Sequence, residues 1–65
     1  MMTMKERVES ALHSAISETR WAIRELDAAI KRRDNEAVGH WLAAADYWSK
    51  RTEEFEKQLK EVNAN

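Results

Sequence analysis

The sequence predicts an all-α fold, an antiparallel hairpin of two long helices that associates into a four-helix bundle or a larger helical oligomer. Three observations predict it. The chain has no Pro and a single Gly, Gly39, so the two strongest breakers are nearly absent. Its large apolar residues recur at alternating steps of three and four, the heptad spacing of packed helices, and never at the period of two that a half-buried strand requires. A short polar stretch, Arg33-Asp34-Asn35-Glu36, divides that pattern into two halves.

The first element opens with Thr3-Met4-Lys5-Glu6, which has the form of a capping box. The Thr3 hydroxyl accepts from the Glu6 amide while the Glu6 carboxylate reaches back to the Thr3 amide. Helix 1 is expected over about residues 4–33, with a seam of Met4, Val8, Leu12, Ile16, Thr19, Ile23, Leu26 and Ile30. It ends on Lys31-Arg32-Arg33, cations where the macrodipole is negative. A turn at about 34–35 follows, in which Asp34-Asn35-Glu36 supplies an N-cap and acidic first-turn residues. Helix 2 is expected over about 36–62, with a seam of Val38, Trp41, Ala45, Trp48, Thr52, Phe55, Leu59 and Val62. Folded about the turn, the chain sets Ile23 near Ala45, Thr19 near Trp48, Ile16 near Thr52 and Leu12 near Phe55. Large residues then meet small ones, as dense packing needs.

Residues 1–65 form one domain, and so short a chain has a marginal core of its own. With no Cys, neither a disulfide nor a thiolate zinc site can staple it. Self-association is the remaining route, because a hairpin alone leaves both seams half wet. The expected oligomer core is Ile16, Ile23, Leu26, Trp41, Trp48, Phe55 and Leu59, closed most simply by a twofold dimer. In layout this resembles the Rop-type dimer of helical hairpins, although no motif of the chain carries RNA contacts.

Composition narrows the function classes. Net charge is −1, with residues 1–33 at +2 and residues 34–65 at −3, a balance that disfavours nucleic acid as a partner. The longest apolar run, Trp41 to Ala45, is far too short to cross a membrane, and charge from Lys5 onward excludes an apolar signal segment. A cytoplasmic setting is expected. Enzyme constellations are lacking: Ser10, Ser14 and Ser17 have no strained nucleophile turn around them. Glu9/His13 and Glu36/His40 are one residue too widely spaced for the Glu-x-x-His pairs of bundle metal sites. No catalytic residue, metal site or cofactor is expected.

Trp21 stands apart. On a helical wheel it falls nearly opposite Ile23, with Ser14, Ser17, Arg24, Glu25 and Ala28 around it. An outward Trp is the side chain most enriched at binding hot spots. Gly39 and Ala43 form a second small-residue pair on the outer face of helix 2. Trp41 and Trp48 read as core, with Thr19, Thr52 and Tyr47 as neighbours for their indole N–H groups. The sequence therefore leads us to expect a small non-enzymatic homo-oligomer that binds a partner stoichiometrically. Such a chain suits an accessory regulator or inhibitor of the kind that phages and plasmids encode. The candidate binding residues are Trp21, Arg24, Ser17 and Arg20. The alternative is a bundle that sequesters a nucleotide-like anion in Arg/Trp pockets at subunit boundaries.

Overall fold

The computed structural model describes residues 1–64. Two helices, α1 (Met4–Arg32) and α2 (Asn35–Ala64), pack side by side in a hairpin. Thr3 caps α1 as the sequence implies: Glu6 N donates to Thr3 Oγ1 and Thr3 N donates to Glu6 Oε1, each at 3.1 Å. The Thr3 amide, and then its hydroxyl, hold the exposed Glu6 carboxyl below its ordinary pKa. Because the folded value is lowered, this cap is intact above the usual carboxyl range and weakens as the pH falls through Glu6's own pKa.

The turn is Arg33-Asp34, one residue earlier than the sequence suggested. Arg33 adopts the left-handed conformation (φ 60°, ψ 36°), and Asp34 N reaches Ala29 O at 3.0 Å, which closes α1 in a Schellman motif. Asp34 then caps α2, its Oδ1 accepting from Ala37 N at 3.1 Å. Helix α2 continues to Ala64, past the expected 62, since no breaker stops it. A left-handed residue with a Cβ is strained, so Arg33→Gly should raise the free energy of unfolding by about 0.5–1 kcal/mol. Urea denaturation of the two proteins checks this; an equal or lower midpoint would show that the Arg33 side chain outweighs its backbone strain.

Packing departs from the expected phase. The buried residues are Val8, Ala15, Ala22 and Ala29, with the three alanines at 0–1% exposure. The α1 face turned to α2 therefore runs one residue behind the large aliphatic series Ile16, Ile23, Ile30. Ile23 and Ile30 are exposed by 53% and 55%. Facing the alanines, α2 presents a half-buried stripe of Trp41, Trp48, Phe55, Leu59 and Val62. Large-on-small packing holds, but alanine is the small partner. The bulk of an indole leaves room for a methyl across the interface and not for a branched chain.

Among the described residues this leaves no large, fully buried side chain. The hairpin is 48 × 19 × 12 Å, one helix thick. Its surface of 5206 Å² compares with about 4,300 Å² for a compact protein of this mass. Its radius of gyration of 14.7 Å compares with about 11 Å for a compact chain of this length. Ala22→Leu should destabilise the protein by about 1–3 kcal/mol, since it forces the helices apart. Thermal melts monitored by circular dichroism check this; an unchanged melt would mean that Ala22 does not set the interhelical distance.

Candidate interaction surfaces

Burial of the alanines divides the hairpin into two broad faces. On one, Ile16, Thr19 and Arg20 of α1 line a shallow depression of about 350 Å³ together with Ser49, Thr52 and Glu53 of α2. Ile16 and Thr52 thus stand level, in the register that folding about the turn implies. Ile23 and Ile30 follow Ile16 by one and two heptads, and Leu42 precedes Ser49 by one, so all three share this face. Leu42 is 57% exposed. We call this the aliphatic face.

The other face is aromatic. Trp21, 51% exposed, flanks Ala22 on the side away from Ile23. Its ring meets that of Trp41 edge to face, with centroids 5.2 Å apart at 68°. Trp21 is therefore not opposite the interhelical seam, because the seam centres on Ala22 and not on Ile23. His40 stands edge-on to Trp41 at 4.8 Å, and Tyr47, itself 55% exposed, stands edge-on to Trp48 at 5.0 Å. Further along, the Arg51 guanidinium lies 4.7 Å from the centre of the Phe55 ring and pairs with Glu54 at 3.0 Å.

The other residues singled out in the sequence scatter. Arg20 goes to the depression on the aliphatic face, beside Glu53, whereas Trp21 goes to the aromatic face. Ser17 and Arg24 are exposed on the outer side of α1. The four are not gathered into one pocket within a single hairpin. Of the expected oligomer core, Ile16, Leu26, Trp41, Trp48, Phe55 and Leu59 are half-buried in one chain and Ile23 is exposed. Thr19 and Thr52 donate their hydroxyls to the carbonyls of Ala15 and Trp48, each at 2.8 Å and four residues back. Among the described residues, no indole N–H is hydrogen-bonded within the chain and none is buried. A Cβ on Gly39 would meet only open space.

The ion pairs Asp27–Lys31, Asp46–Lys50 and Arg51–Glu54 each lie within one helix and are exposed. They contribute a few tenths of a kcal/mol apiece and do not define a site. No group of three or more His, Asp or Glu is placed to hold a metal among the described residues. Among the described residues, no helix is long and apolar enough to cross a membrane.

The class these features define is a two-helix, all-α hairpin with two chemically distinct faces. Compared with protein-family models, curated proteins and solved structures, the chain matches none.

The Trp21–Trp41 contact gives Trp21 a structural share that the sequence did not show. Trp21→Ala should cost about 1–2 kcal/mol, the edge-to-face term plus the buried half of the ring. Chemical denaturation of the variant checks this; a loss below about 0.5 kcal/mol, the range of ordinary surface changes, would mean that the ring contact adds nothing.

Proposed function

We propose that the chain is a small cytoplasmic, non-enzymatic protein that self-associates through its helices and acts by stoichiometric binding to a partner, as an accessory regulator or inhibitor. The observation that carries this reading is the Trp21–Trp41 ring pair, with His40 edge-on to Trp41 and Trp21 half exposed. Rigid aromatic rings with free polar tips give large contact area at low entropic cost and are the commonest anchors of binding hot spots. Self-association is supported by the absence, among the described residues, of any large, fully buried side chain in the single hairpin.

The test is native mass spectrometry of the protein purified from its own cells, beside Trp21→Ala. The expected result is an assembly of two or more chains carrying a second protein in fixed ratio. Trp21→Ala should lose that second protein by tenfold or more in affinity while keeping its own subunit count. A bare monomer would defeat the reading. A bound small anion in place of a protein would support the sequestering alternative, for which Arg24 and Arg20 are the basic groups.

A further inference from the structure

We infer that two copies of the chain associate through their aliphatic faces with both turns at the same end, so that each α1 lies over the α2 of the other copy. The inference rests on the self-association proposed above and assigns it a face and an orientation.

The face follows from heptad steps away from the central depression. Toward the turn, Ile16 leads to Ile23 and Ile30, Thr19 to Leu26, Ser49 to Leu42, and Thr52 to Ala45 and Val38. All six are apolar, while Arg20 and Glu53 lead to Asp27 and Asp46, exposed at the edges of this half and each paired with a lysine of its own helix. Away from the turn, Ile16 leads to Glu9, Thr19 to Leu12 and Lys5, Ser49 to Glu56, and Glu53 to Lys60. Lys5, Glu9, Glu56 and Lys60 are all exposed. The middle of the aliphatic face is thus apolar in its turn half, whereas its open half mixes Leu12 and Leu59 with four exposed charges.

That asymmetry selects the orientation. With both turns at one end, Ile23 lies over Ala45 of the second copy, Leu26 over Leu42, and Ile30 over Val38. On the same register Glu9 comes level with Leu59, one residue from the oppositely charged Lys60, and Leu12 with Glu56, so the charges of the two copies meet in the open half and leave the apolar half covered by its like. With one hairpin reversed end for end, Leu42 lies over Glu56 and Lys57, and Ile30 over Lys5 and Glu6. That arrangement buries charge against aliphatic surface and covers neither patch with its like. The hairpin's surface exceeds that of a compact protein of its mass by about 900 Å², against about 800 Å² that each partner buries in a stable interface.

The chain has no cysteine, so single-cysteine variants can be spin-labelled cleanly. Asn35→Cys places a nitroxide at the turn and leaves the Asp34 cap in place. Pulsed dipolar spectroscopy of the labelled dimer should give a turn-to-turn distance of about 10–20 Å, one or two interhelical spacings, widened by the label arms. A distance approaching the 48 Å length of the hairpin would overturn the orientation and leave self-association standing. Monomeric sedimentation without a dipolar signal would overturn both. To test the face, Leu42→Lys should raise the dimer dissociation constant at least a hundredfold and Tyr47→Lys less than threefold. Both side chains are more than half exposed in the single hairpin, and Tyr47→Lys gives up only its edge-on contact with Trp48 of the same helix. The reverse ranking would move the interface to the aromatic face and overturn the inference.

Discussion

The fit of three alanine methyl groups against an aromatic stripe governs everything else in this molecule. Ala15, Ala22 and Ala29 are fully covered, and across from them α2 presents Trp41, Trp48 and Phe55. Once those rings occupy the interface, only the smallest side chains fit opposite them. Turning α1 by one residue would bring Ile16, Ile23 and Ile30 against the rings and drive the helices apart. Rotation of α1 about its own axis is thereby fixed, and with it the destination of every other side chain. Ile23 goes to one broad face and Trp21 to the other, because each is the immediate neighbour of Ala22.

Much of the fold was legible because it is written in local signals. The Thr3/Glu6 box, the basic end of α1 and the Asp34 cap are short-range chemistry, and each is formed. Heptad spacing gave two helices and their register, since the short turn leaves the register little freedom. Phase was misread for a physical reason. The seam was traced through the largest apolar residues, Ile16, Ile23 and Ile30, on the assumption that the bulkiest side chains are buried first. The opposing stripe already held two indoles, so volume had to be conserved by small residues on α1. Val8, Ala15, Ala22 and Ala29, spaced by strict sevens, were the available signal. The aromatic face was therefore half visible: Trp21 was recognised, but its ring contact with Trp41 followed only once the true phase was known.

An interior lined with alanine has an energetic consequence. Alanine pins the geometry but removes little apolar area from water, and the hydrophobic term scales with that area. The caps and the exposed intrahelical ion pairs add small increments. The shape is thin and elongated, with a radius of gyration of 14.7 Å, and the two helices make a single layer. The large side chains that would normally supply the missing stability are present in the chain. They are on its surface, and only another surface can bury them.

The two faces suit different kinds of surface. Ile23, Ile30 and Leu42 are aliphatic, with no polar atoms, and they stabilise whatever covers them in proportion to area alone. A twofold copy of the same patch is the simplest cover, because an isologous interface asks only that the patch complement itself. Trp21, His40 and Tyr47 combine ring area with an N–H or O–H that a partner must meet in direction as well as in shape. An unmatched donor buried at an interface costs about 1–3 kcal/mol, so a surface of this kind is more selective about what covers it than an aliphatic one. The alanine spine that separates Trp21 from Ile23 is thus what gives one short hairpin two faces of different chemistry.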